Sequence, residues 1–319
     1  MRLTFFDNTD LNTSRSSIGD VDGFDVPTKL MGQHLVLRNI ATLNSVYNIK
    51  SIEIPPELYF LNNQIQQHFP NIDITVIKTK QDFQKPITHN LQSQNTSLRN
   101  SFLTSLKQES NSSIKIPINS ILHINAEGEL VIDEMGYPWE FLKSIQKILD
   151  EEITSTKISS GAKISKTSII EGPCIIEEGV VLDDFCKLKG PVYIGKNSFI
   201  GMGSLVRNSV LEHNTKIGFN CEVGKSFFAG NDKISHHNVI LDSIVGQNVW
   251  FGGYSGTANV LLDRKNIRYK INDTLVDTGT DHFGSVIGDN CSIGASVIIL
   301  PGRKIPSNTQ IQAGTIVKS

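Results

Sequence analysis

The sequence is poor in aromatic residues, at 7% of 319, and it has only four cysteines. None of Cys174, Cys186, Cys221 and Cys291 lies in a CxxC pair or another ligand spacing, which argues against a zinc site or a disulfide framework. There is no excess of basic charge either. A formal net charge of −2 offers no surface for gathering phosphates, so nucleic acid is not expected as a partner. Long apolar runs are missing as well. No window approaches a membrane-spanning length, and the start, MRLTFFDNTDLN, lacks an apolar run followed by a small-residue cleavage site. The expectation is a cytoplasmic protein with no membrane partner.

What is present is a repeat. From residue 158 an aliphatic residue recurs every six positions, as Ile158, Ile164, Ile170, Ile176, Leu182, Leu188, Ile194, Ile200 and Val206. Four places after each comes a compact residue, among them Ala162, Ser168, Cys174, Val180 and Cys186. A period of six fits neither a helix nor a simple alternating strand. It fits hexapeptide coils, in which three short strands make one triangular turn. The register returns after short slips at Leu211, Ile217, Val223, Ile234, Ile240, Val245 and Phe251, and closes with Ile287, Ile293, Ile299, Ile305, Ile311 and Val317. All four cysteines occupy the compact slot and are expected to be small buried residues. A solenoid buries each coil on its neighbours, so it needs few aromatics.

The chain is long enough for two domains, and its character changes near residue 154. The expected division is an α/β domain over 1–135, a linking helix over 136–154, and a left-handed parallel β-helix over 155–319. In the front part, residues 49–77 predict a strand around Ile52, a helix over 57–68 and a strand over 72–77. KLMGQHLVLRNIATLNSVYN predicts an earlier helix, NLQSQNTSLRNSFLTSLKQESNSS a polar connector, and SILHINAEGELVID a hairpin turning at Glu127-Gly128. YPWEFLKSIQKILDEEI has Pro138 near a helix start and apolar residues at helical spacing. The sixfold register breaks over 257–285, which predicts an extended loop leaving the coil, the sort of segment that serves function.

YPWEFLKSI, ISHHNVILDS, GTANVLLDRK and VDTGTDHFGSVIGDNCSIGASVIILPG occur in that order across residues 136–319. With them the sequence resembles the GlmU-like family of sugar-1-phosphate nucleotidyltransferases that are also glucosamine-1-phosphate acetyltransferases, archaeal members above all. The resemblance implies acetyl transfer from acetyl-CoA to the amine of an amino sugar phosphate, with no metal in that reaction and a trimer whose sites lie between neighbouring β-helices. It places the general base on His236, since imidazole titrates near neutral pH. His237 stands where the family has leucine. The resemblance further implies substrate contacts by Arg207, Glu222, Lys225, Asn259, Lys265 and Arg268, the cations suiting a phosphate dianion. Gly253, Ala295 and Ala313 would border the pantetheine arm.

The departures concern both halves. Val239 and Val260 replace family aromatics, and Trp250 stands where bacterial members have asparagine. NTDLNTSRSSIGDVDGFDVPTKLMGQHL lacks the glycine cluster that cradles a nucleoside triphosphate, with Arg15 and Lys29 isolated, so a reduced domain that has lost nucleotidyl transfer is expected. Two other classes compete: a non-catalytic trimer that binds a nucleotide sugar or acts as a scaffold, and a γ-carbonic-anhydrase-like metal hydratase. The spacing of the eight histidines speaks against the hydratase.

Overall fold

The structure is a computed structural model that describes residues 137–271 and 273–318 and, before them, residues 2–6, 29–31, 33–46, 49, 51–54, 62–76, 113–117, 120–124 and 130–134. The chain divides into two compact units, residues 135–319 falling in the second. In the first, four parallel strands lie in the order Asp73–Val76, Ser51–Ile54, Arg2–Phe6, Ser113–Pro117. Helices α1 (Leu35–Val46) and α2 (Asn62–His68) precede the second and third of these in the chain. Ile40, Leu43, Ile52, Ile65 and Ile72 are buried. Helix α1 starts later than its apolar pattern suggests, because Lys29–Leu30 pairs with Gln33–His34 around Met31, whose φ is 49°. Residues 57–61 of the expected second helix, the connector, the hairpin turn and Arg15 lie outside the described residues. The strands flanking that turn, Ser120–Ile124 and Leu130–Glu134, pair antiparallel.

In the second unit, helix α3 (Pro138–Glu152) has proline at its first turn and buries Phe141, Leu142, Ile145, Ile148 and Leu149. After it the chain winds into a parallel β-solenoid with three eight-stranded sheets as walls. The aliphatic series faces inward, and nearly all of it between Ile176 and Ile305 is fully buried in one continuous core. Each such side chain contributes about 1.5–3 kcal/mol relative to exposure.

The slips have a simple cause: some coils hold one residue fewer. Glu171 pairs with Lys189, but Arg207 pairs with Gly224. Two inward residues follow from this that the sixfold count passes over. Phe228 is buried five places after Val223, and Thr257, though polar, is an inward wall residue whose hydroxyl meets the Ser243 Oγ at 2.9 Å.

The three walls differ on their outer faces. On the wall containing Val210–Leu211 and Phe227–Phe228, the outward Tyr193, Val210, Phe227, Ile244 and Val286 are all buried. Helix α3 packs there, with the Phe141 and Phe227 rings edge to face at 5.1 Å and 83°. A second wall presents Lys163, Lys216, Lys233 and Trp250 outward, and is called the lysine wall below. The third carries Ile169, Leu205, Glu222, Val239, Ile298 and Ile316 outward.

The segment after Thr257 does not run out as an extended arm. It leaves the wall at residue 258, forms a hairpin from Arg268–Ile271 and Thr274–Asp277, and returns at Ser285. Ile267, Tyr269, Ile271 and Phe283 are buried, and Trp139 of α3 meets Tyr269 and Phe283 edge to face at 5.8 and 6.2 Å. Alternating residues in RYKI are buried, so this hairpin has an inner face of its own.

The compact slots hold what the sequence pattern demands. All four cysteines are buried free thiols, and burial pushes Cys174 up to about 11. Asp232 is the exception in chemistry. Fully buried, it accepts the Gly230 N–H at 3.2 Å and the Val249 N–H at 2.9 Å, one on each oxygen. Burial pushes its pKa well above the usual carboxylate value, with the two amide bonds opposing. A raised folded-state pKa makes a stability contribution that is complete below the unfolded value, about 3.9, and fades as pH rises above it. Asp232→Asn should leave one amide facing an NH₂ group, costing about 1–3 kcal/mol. Thermal melts from pH 4 to pH 8 should show the wild-type advantage over this variant shrinking as pH rises, and a widening advantage would contradict the assignment.

Candidate functional site

His236 and His237 lie on a corner rather than within a strand, between Lys233–Ile234 on the lysine wall and Val239–Leu241 on the third wall. Ile234 and Asn238 take the inward slots on either side, so both histidines stay outside the core. Asn238 anchors this corner. Its Oδ1 accepts the Ser255 N–H at 2.8 Å and its Nδ2 donates to the His236 carbonyl at 3.2 Å.

Successive coils stack this corner into a file. The Tyr254 N–H donates to the His236 carbonyl (3.0 Å), Ser296 N–H to Gly253 (2.9 Å) and Gly314 N–H to Ala295 (2.8 Å). His236, Gly253, Ala295 and Ala313 therefore occupy the same corner position on four consecutive coils. A Cβ at Gly253 would meet nothing closer than the His236 carbonyl at 3.4 Å, so the file next to the imidazole is open.

His236 itself is exposed and folds back over the preceding coil. Its Nδ1 accepts the Phe219 N–H at 3.2 Å, which leaves the proton of the neutral ring on Nε2. His237 has a φ of 57° and a different set of contacts. It stacks on Tyr254 (4.8 Å, 18°), meets Phe219 edge to face (5.1 Å, 88°), and has Nδ1 3.3 Å from Asn220 Nδ2.

Of the polar residues expected to contact substrate, Arg207, Lys225 and Asn259 gather at the other edge of the third wall, and Glu222 reaches Arg207 from the near end of its strand. Arg207 Nε and Nη2 both donate to Glu222 Oε1, at 3.1 and 3.0 Å. The guanidinium lies over Gly224, where a Cβ would come within 2.7 Å of its Cζ. Lys225 is at the adjoining corner, its N–H donating to the Arg207 carbonyl at 3.0 Å. Asn259 Nδ2 donates to Asp242 Oδ2 at 2.6 Å. Farther out on the loop, Lys265 pairs with Asp263 at 2.9 Å, and Arg268 is exposed on the hairpin. His236 and Asp242 are six residues apart, at most about 20 Å of extended chain. The strand Val239–Leu241 lies between the imidazole edge and the Arg207 edge, with exposed Val239 beside Glu222.

Four residues of this region were not singled out from the sequence: Phe219, Gly224, Asp242 and Tyr254. Their one signal is the coil length, since Phe219 and Tyr254 flank the histidine pair at 17 residues. Among the described residues no group of three or more His, Cys, Asp or Glu could hold a metal ion, and no helix is long and apolar enough to cross a membrane.

With this geometry in view, comparison with known proteins is informative. Residues 173–208 match the family described as bacterial transferase hexapeptide (six repeats), and residues 285–319 match the hexapeptide repeat of succinyl-transferase. The bifunctional protein GlmU of Methanocaldococcus jannaschii is 33% identical over 58% of this chain and 44% of its own length. The bifunctional sugar-1-phosphate nucleotidylyltransferase/acetyltransferase of Sulfurisphaera tokodaii is 31% identical over 58% of this chain and 45% of its own. The chain thus spans less than half the length of these curated relatives, and the likeness lies in the solenoid half. A solved UDP-N-acetylglucosamine acyltransferase is 16% identical over 50% of this chain and 69% of that chain, with a TM-score of 0.28.

Because the Arg207 guanidinium fills the space that a side chain at 224 would need, Gly224→Ala should displace it and separate it from Glu222. The cost should stay below about 1 kcal/mol, the scale of an exposed ion pair. A crystal structure of the variant with the Arg207–Glu222 pair in place would refute this reading of the glycine.

Proposed function

We propose that this protein is an acyltransferase, an acetyl-CoA-dependent N-acetyltransferase acting on an amino sugar phosphate of the glucosamine-1-phosphate type and working as a homotrimer. The observation that carries the reading is the single file of His236, Gly253, Ala295 and Ala313: an exposed imidazole at the end of a run of small residues on which a thin thioester arm can lie. The similarity to bifunctional transferases of the same chemistry over 58% of the chain supports it.

The acceptor amine attacks the thioester carbonyl, an N–C bond forms and the C–S bond breaks. The proton lost by the amine goes to His236, which passes it to the departing thiolate so that free thiol leaves. Since the free lone pair of that ring is on Nδ1, taking the proton there means exchanging the Phe219 amide for the substrate amine. Arg207, Lys225, Lys265 and Arg268 supply charge for the phosphate, while Glu222 orients Arg207 and Asn259 is held by Asp242. Exposed Val239, on the strand between the two edges, puts apolar surface where the family has tyrosine, which favours an acceptor with a different apolar contour there. No metal enters the proposal, and neither does nucleotidyl transfer, because the glycine cluster for a nucleoside triphosphate is missing from the sequence.

With acetyl-CoA and glucosamine-1-phosphate the protein should release free thiol, and His236→Ala should slow the release about 100-fold or more, the usual worth of a positioned base. His237→Ala should leave the rate within a few-fold. Tight ligand binding with no turnover of any amino sugar would replace this reading with that of a non-catalytic binding trimer. Sedimentation equilibrium should give three times the monomer mass, and a monomer at micromolar concentration would remove the inter-subunit site.

A further inference from the structure

The corner that carries His237 holds a left-handed residue on successive coils: Phe185, Gly203, Asn220, His237, Tyr254, Ser296 and Gly314 all have positive φ. Glycine and asparagine take this conformation readily, whereas a ring-bearing side chain there costs conformational energy. Phe185 (φ 58°) and Tyr254 (φ 60°) bear that cost without core burial in return, being 65% and 66% exposed, and of the two it is Tyr254 that has another ring of the file stacked on it. Strain retained at an exposed position points to use rather than to packing.

The flat groups of this file lie one upon another. The Asn220 amide is next to the His237 ring, and the His237 ring stacks on Tyr254 at 4.8 Å and 18°. One coil further the file continues with Ser296 and then Gly314, so no ring follows on the far side of Tyr254. Phe219 closes on His237 from the side, 40% exposed. Next to this column on the lysine wall stand Lys216 and Lys233, exposed and in register, followed by Trp250, 44% exposed.

We propose that the outer face of Tyr254 is a stacking platform for the base of a nucleotide whose phosphates lie toward Lys216 and Lys233. The chemistry selects the ligand class. A simple sugar phosphate has no flat π face to lay on the phenol, and an uncharged aromatic group makes no use of two ammonium groups. A nucleotide uses both, as base-on-aromatic stacking beside cations does in single-strand binding surfaces. The source of this chemistry is a nucleoside diphosphate carrying the acceptor sugar, because a thioester donor with its sulfur at His236 and its arm along Gly253, Ala295 and Ala313 holds its adenosine end far from Tyr254. The inference goes beyond the acyl-transfer reading, and its test reads binding alone.

The test is calorimetric titration of the full-length protein with UDP, GDP, adenosine 3′,5′-diphosphate, coenzyme A and ribose 5-phosphate. UDP or GDP should bind more tightly than ribose 5-phosphate. Binding restricted to adenosine 3′,5′-diphosphate and coenzyme A belongs to the donor arm and overturns the proposal. Tyr254→Asn should lower that affinity about tenfold without lowering the melting temperature, because asparagine suits the corner. Tyr254→Phe should retain the affinity, and Lys233→Gln should weaken binding and flatten its salt dependence. The proposal is overturned if no nucleotide binds at millimolar concentration, if ribose 5-phosphate binds as well as the nucleotides, or if Tyr254→Asn leaves affinity unchanged. Nucleotide binding without thiol release would sink only the acyl-transfer reading, and thiol release without nucleotide binding would sink only this one.

Discussion

Everything in the solenoid depends on one coil covering the next. A single triangular turn has too few residues to bury its own aliphatic side chains. It becomes stable only when the turns above and below it cover both faces and pair with its strands. Ile200, Ile217, Ile234, Phe251, Ile293 and Ile311 form one such inward column, joined by parallel pairing at every step. Because each strand is pinned by its neighbours, a corner has little freedom. Residues at equivalent positions of successive coils are carried into line whether or not they pack against each other.

This is how the fold builds a site from residues far apart in sequence. Ala313 and His236 share a corner position although 77 residues separate them, and their alignment comes from the wall rather than from any mutual contact. The outward positions are chemically free, since they bury little. The polar cluster around Arg207 and Glu222 on one edge and the imidazole on the other can therefore vary without disturbing the core. A three-residue strand sets their separation, which suits a substrate holding a reactive amine at one end and a phosphate at the other. The covered wall has the opposite character. There Tyr193, Phe227, Ile244 and Phe283 are buried, with Phe141 of α3 edge to face against Phe227 and Trp139 against Phe283.

Much of this was legible in the sequence, for a physical reason. An inward slot accepts only a narrow range of volumes, so Ile, Leu and Val recur there, and the four thiols in compact slots read correctly as buried. The pattern fails where volume is not the constraint. Thr257 is inward but satisfies its hydroxyl on Ser243 and Leu241, so it resembled the start of a loop. Phe228 fell outside the count because a shorter coil moved it by one place. The loop hairpin was missed because only its first four-residue strand is buried, on one face, where Tyr269 meets Trp139 of α3, and the second strand has no buried residue. At the candidate site, the histidine pair and the small residues of its file were visible as residue types, but the contacts that define them were not. Phe219 acts on His236 through its backbone amide, and Gly224 matters for the side chain it lacks. Neither leaves a mark in residue type, and both emerge only once the 17-residue coil is known.

The claim at the centre of the account is that the corner file beginning at His236 seats a thioester arm. A crystal structure of the protein with bound coenzyme A tests it most directly. The account predicts the pantetheine along Gly253, Ala295 and Ala313 with its sulfur next to the His236 ring. An arm seated on another edge of the solenoid, or that file buried in a subunit contact with no room for a ligand, would contradict it.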